Sequence, residues 1–166
     1  MEQHHNTIIP AMRIIAAAMA AAGLSITAAQ ATTPTGFVGT QVARGAYGDI
    51  DLKLKTGTFD LKLDTKGASD IYVTRNAIAI GGQSGWHTHP GPSLITVTVG
   101  TITAYDDELC TPHVYNAGEG FVDAGDGDVH LLRNESGAVA ETVAVQFVAA
   151  GAARRIDAPQ PNNCNF

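Results

Sequence analysis

Basic residues are scarce in this sequence. Lys and Arg total 10 against 16 Asp and Glu, and Arg154-Arg155 is the one adjacent basic pair. Affinity for phosphate backbones comes from clustered Lys and Arg, so a net charge of −6 argues against a nucleic-acid partner. Long apolar runs are missing as well. The apolar run at residues 14–26 has 13 residues, where a helix needs about 20 to span a bilayer, and nothing later resembles a span. From residue 32 onward there is no 3.6-residue apolar stripe, so no amphipathic helix is expected. There is no G-x-S-x-G nucleophile motif and no Gly-rich phosphate loop ahead of a helix. Asp126 and Asp128 lack the remaining ligands and the closing Glu of a calcium loop. What is left is an ordinary globular composition, 16% charged and 45% hydrophobic, in a 166-residue chain of one-domain size.

The first 31 residues read as a secretory signal rather than as fold. Arg13 precedes the short Ala-rich apolar run, and Ala29-Gln30-Ala31 supplies a small-x-small cleavage signal. The alternative is a buried Ala-rich helix. Residues 1–11 are a poor basic leader, and Met12 would start a more compact one. Removing 31 of the 166 residues leaves 135, long enough to bury one core, and the charge stays at −6 because Glu2 and Arg13 cancel. The expected destination is secreted or periplasmic, with no membrane contact after signal removal. Both cysteines, Cys110 and Cys164, lie in the remaining chain. In an oxidising compartment an even pair reads as a disulfide, the alternative being two unpaired thiols.

The rest is a series of short strand candidates. Residues 32–46 read as an exposed lead-in. Ile50, Leu52 and Leu54, then Phe59, Leu61 and Leu63, alternate with charged residues across Thr56-Gly57, which predicts a hairpin. Further strands are expected at 70–80, 93–99, 101–105, 113–115, 120–123, 129–133 and 139–148, with Gly, Pro, Asn or Asp in the breaks between them. The Pro- and Asn-rich tail from Asp157 reads as loop. Many short strands with turn signals favour a sandwich or closed barrel.

The chemistry concentrates in two stretches. In Gly85-Trp86-His87-Thr88-His89-Pro90, residues two apart on a strand face the same way, so His87 and His89 aim at one spot. Neutral imidazoles there suit Zn, Fe, Ni, Cu or Mn. Taken alone, the pair reads equally as two polar residues on an exposed face. The second stretch, Gly125 to Asn134, places His130 on a strand after a Gly-rich turn. Residues 32–166 contain four His, and three of them sit in these two places. Trp86 reads as core or as a pocket wall, and His113 as a surface residue or a base near the site. Glu119 and Asp123 share a strand face, as solvated acids or as a carboxylate for the site.

These residues resemble the cupin superfamily. Its first motif, G-x5-H-x-H-x3,4-E-x6-G, is met by Gly81, His87, His89 and Gly100. Its second, G-x5-P-x-G-x2-H-x3-N, is met by Gly127, His130 and Asn134, with Gly125 in place of Pro and the leading Gly out of register. The match covers about residues 70–150. The resemblance implies an all-β double-stranded β-helix, or jelly-roll barrel, as one domain over 32–166. It also implies one divalent metal ion (Fe, Zn, Mn or Ni) on His87, His89 and His130, and homodimers formed through sheet edges. The family's Glu falls at Ser93 or Leu94, neither of them an acid. A site of three His fits a metal-dependent oxygenase acting on a small polar molecule; a metal- or small-ligand-binding module without turnover stays open beside it.

Overall fold

A computed structural model describes residues 31–106, 108–161, 163, 164 and 166. Residues 1–30 of the expected signal segment lie outside the described residues. The chain forms β1 (Thr35–Tyr47), β2 (Asp51–Thr56), β3 (Phe59–Asp64), β4 (Ser69–Gln83), β5 (His87–Thr88) and β6 (Ser93–Val99). It continues with β7 (Thr101–Asp106), β8 (Pro112–Asn116), β9 (Gly120–Asp123), β10 (His130–Arg133), β11 (Ala140–Ala149) and β12 (Ile156–Asp157). There is no helix among the described residues, and so none long and apolar enough to cross a membrane.

Ten strands make one antiparallel sheet in the order β12-β5-β10-β4-β11-β6-β9, with β1 on β4, and β7 joining β10 to β8. The sheet curls into a nearly closed antiparallel barrel, as the all-β jelly-roll expectation requires. The alternation of β11 shows how. Ala140, Thr142, Ala144, Gln146 and Val148 are buried, and the residues between them are only partly so. Period-two alternation puts one face of a strand toward the interior. Most of the inward set is small, so the lumen keeps free space.

The core has two parts, divided by the wall that β10 builds. Ile78, Val97, Ile102, Leu132 and Ala140 pack together inside. Trp86, Tyr105, Leu131, Ala158 and Cys164 pack on the opposite face of β10, under the C-terminal tail. Leu131 and Leu132 are consecutive and point opposite ways, one to each cluster. The tail is pinned by a Cys110–Cys164 disulfide with Cα atoms 5.5 Å apart, as the cysteine count predicts.

Two expectations change. Residues 35–47 are not a lead-in but the long strand β1, paired with β4 from Tyr47↔Ser69 to Thr35↔Gln83 with register shifts between Gln41 and Ala43 and between Thr35 and Phe37. The tail is not simple loop: Asp157 pairs with His87, and Ala158 and Cys164 are buried. The expected hairpin is present as β2–β3, a separate two-stranded sheet. Leu52↔Leu63, Leu54↔Leu61 and Thr56↔Phe59 line one of its faces, while Asp51, Lys53, Lys55, Asp60, Lys62 and Asp64 line the other.

Candidate metal centre

β5 is two residues long, and it lies between β10 and β12. His130 is the direct register partner of His87. Cross-strand partners share a face, so this pairing brings the second motif onto the first. Gly85 shapes the approach. It has φ +68°, and a Cβ there would collide with the carbonyl oxygen of Thr32, so only Gly fits where the chain enters the site.

The structure brings His87, His89 and His130 together. All three are buried, and each offers a nitrogen within 4.8 Å of the others. Ring centroids are 4.9 Å apart for His87 and His89, 4.4 Å for His87 and His130, and 5.4 Å for His89 and His130. Ligand atoms about 2.1 Å from one ion stand roughly 3–4 Å apart, a spacing that small side-chain rotations reach from here.

Each ring is oriented by a backbone carbonyl. His87 Nδ1 lies 2.8 Å from Gly85 O, His89 Nδ1 2.5 Å from Arg154 O, and His130 Nδ1 3.1 Å from Asp128 O. A carbonyl only accepts, so each Nδ1 carries the proton and each Nε2 keeps its lone pair. Gln146 Nε2 stands 3.1 Å from His89 Nδ1 but is itself a donor. We therefore assign it to Ser93 Oγ at 3.4 Å, with Gln146 Oε1 accepting from Arg154. Burial pushes the His87 pKa well below its ordinary value, and the positive neighbours His130, Arg155 and His89 push the same way. Burial likewise lowers His89, against the Arg154 carbonyl, which favours its charged form. Neutral imidazole is the ligand form, and a buried three-His cluster of this kind can hold a divalent metal ion.

The lumen around the cluster is a cavity of about 140 Å³ whose lining includes Ser93, Gln146, Arg154 and Arg155. A second cleft, of about 240 Å³, lies beside it, lined by Tyr115, Phe121, His113 and Asp123 among others; both cavities share His130. Asp123 is buried 3.6 Å from His89 Nε2. Glu119 is elsewhere: it accepts from the Asn116 N–H in the turn between β8 and β9. Trp86 is core, and His113 is exposed beside Asp106.

Sequence reasoning missed Gln146, Arg154 and Arg155 as cavity residues. Gln146 carries a legible signal, a long polar side chain in the inward register of an otherwise small or apolar strand. The two arginines carry none, because they reach the site from a segment whose return to the barrel depends on β12 and the disulfide.

No protein-family model matches the chain, and no curated protein is significantly similar to it. Solved structures are similar over parts of the chain. A conserved protein of unknown function from Streptococcus pyogenes is 21% identical over 49% of this chain and 67% of that one, with a TM-score of 0.42. Oxalate oxidase is 23% identical over 48% of this chain and 46% of its own, with a TM-score of 0.40. An uncharacterised protein with a double-stranded β-helix domain from Klebsiella pneumoniae is 20% identical over 67% of this chain and 84% of that one, with a TM-score of 0.44. The match therefore spans less than half the length of oxalate oxidase.

Proposed function

We propose that this protein is an exported metal-binding cupin in which His87, His89 and His130 ligate one divalent ion, and that it acts as a metal-dependent oxygenase on a small polar molecule. The observation that carries the metal reading is the set of three Nδ1 protons held by the carbonyls of Gly85, Arg154 and Asp128, which leaves three buried Nε2 lone pairs. When bound, a divalent ion on these three imidazoles supplies a Lewis-acid centre with positions left open. The chain's own residues do the rest. The Arg154 guanidinium, held by Gln146 Oε1 at 3.0 Å, lines the cavity and favours the negative end of a small molecule. The apolar cluster of Ile78, Val97, Ile102, Leu132 and Ala140 closes one side of the lumen to water.

The disulfide supports an oxidising destination, and the Ala29-Gln30-Ala31 signal supports export. A homodimer belongs to the same reading. It is supported by β1, which pairs with β4 alone among the described residues, and by the exposed Leu52, Leu54 and Phe59 of the hairpin. The test is metal analysis of protein purified from its native compartment, followed by oxygen uptake with Fe(II) restored and small carboxylates supplied. Stoichiometric metal that falls by about 100-fold in affinity in a folded His89→Ala variant is the expected result. Iron with substrate-dependent oxygen uptake supports the oxygenase; bound metal without uptake leaves the binding module. A triple His variant that binds metal like the parent overturns both.

A further inference from the structure

The best-buried position of β9 is occupied by its one acid. Along Gly120–Asp123 the pattern runs exposed, partly buried, exposed, buried, and Asp123 is 4% exposed. Its Oδ1 accepts from the Gly125 N–H at 2.9 Å. Its Oδ2 has no hydrogen-bond partner, and is one of two such buried side-chain atoms among the described residues, the other being Thr88 Oγ1 beside the same histidines. A buried carboxylate oxygen without a hydrogen bond is costly, and buried charges are ordinarily paired or bound to metal. An ion pair with a histidine does not account for it: His130 Nδ1, at 3.7 Å, faces Oδ1 and gives its proton to Asp128 O. The 3.6 Å separation between Oδ2 and His89 Nε2 is too long for a hydrogen bond, and the His89 proton is on Nδ1, facing Arg154 O. That same separation falls within the spacing of two ligand atoms on one ion.

The register explains where this acid comes from. Ser93 stands where the cupin motif carries its Glu, and Asp123 is the direct cross-strand partner of Ser93 in the β6–β9 ladder. Partners in an antiparallel ladder share a face, with Cβ atoms about 4.5–5.5 Å apart. Resting on the metal reading above, we propose that Asp123 is the fourth protein ligand of the centre, a carboxylate moved one strand sideways from the motif position now held by Ser93. The site is then three neutral imidazoles and one carboxylate, and Asp123 reaches it from the wall shared with the second cleft, on whose surface it also lies.

The test uses Co(II) as the probe, titrated into the metal-free protein and followed by its visible spectrum. In Asp123→Asn, Co(II) affinity falls by about 100-fold or more and the ligand-field bands of the bound ion change. In Asp123→Ser the loss is similar, and adding Ser93→Asp to it, which returns the carboxylate to the facing position, restores affinity to within about tenfold of the parent. A purely structural role, capping the Gly125 N–H, would not be rescued from β6. Asp123→Asn with parent affinity and parent spectrum overturns the proposal; if His89→Ala has lost the metal in the same series, the three-His reading survives that failure. If the parent binds no Co(II), both fall. Should the variants not fold, difference infrared spectra of the unmutated protein on Zn(II) addition decide: a shifted carboxylate stretch is expected, and its absence overturns the assignment.

Discussion

Asp70 shows how one residue on β4 ties β1 and the turn after β11 together. Both oxygens of its buried carboxylate accept from Arg44 Nη2 at 2.8 Å, and Oδ2 also accepts from the Gly151 N–H at 2.9 Å. The hydrogen bonds from Arg44 first, and then from Gly151, hold its pKa below the ordinary carboxylate value. The unfolded chain therefore takes up the proton at higher pH than the folded one. The stability that Asp70 contributes is fully present above the unfolded value, about 3.9, and is lost as pH falls through the lowered folded value. Asp70→Asn accordingly unfolds at lower urea concentration than the parent at about pH 7, and the two midpoints approach each other as pH falls through the lowered folded value. Equal midpoints at neutral pH would show that the pair contributes nothing.

At the scale of the element, β10 carries most of the design in four residues. His130 and Leu132 face the lumen; Leu131 and Arg133 face the tail. Leu131→Ala and Leu132→Ala each remove a buried side chain and each cost about 2–5 kcal/mol of stability in urea titrations. Their effects on the site separate: Leu132 lines the His cavity, so its loss also weakens metal binding, whereas Leu131→Ala loosens the tail and speeds its amide exchange. Metal affinity lowered equally in both variants would contradict this division. The elements were legible in proportion to their alternation. The dense β-branched run at 93–99 matches β6 in both bounds, and 120–123 matches β9. β1 was hidden because its residues are exposed along almost the whole length, with Gly36, Gly39 and Gly45 interrupting any apolar pattern. β12 was hidden because two residues carry no period; its pairing with β5 is a tertiary fact. In the site, motif spacing reveals His87, His89 and His130, but Asp123 is visible only as one of two acids on a strand. Choosing it over Glu119 requires the register that sets it opposite Ser93.

At the scale of the whole molecule, the Cys110–Cys164 bond closes a loop with a sequence separation of 54, worth about 4 kcal/mol in the chain-entropy model. Replacing both cysteines with Ser lowers the unfolding temperature measurably, and calorimetry checks it; an unchanged transition would mean that the tail is held by packing alone. The bond has a further consequence for time rather than for energy. β10 and β12, the two neighbours of β5, both belong to the segment that the disulfide closes into a ring. The strand that begins with His87 is thus clasped on both sides by one covalent loop, and the carbonyl of Arg154, which orients His89, belongs to the same loop. Reduction of the disulfide should therefore shorten the residence time of bound metal against a chelator, read by stopped flow, more than it shifts the binding equilibrium.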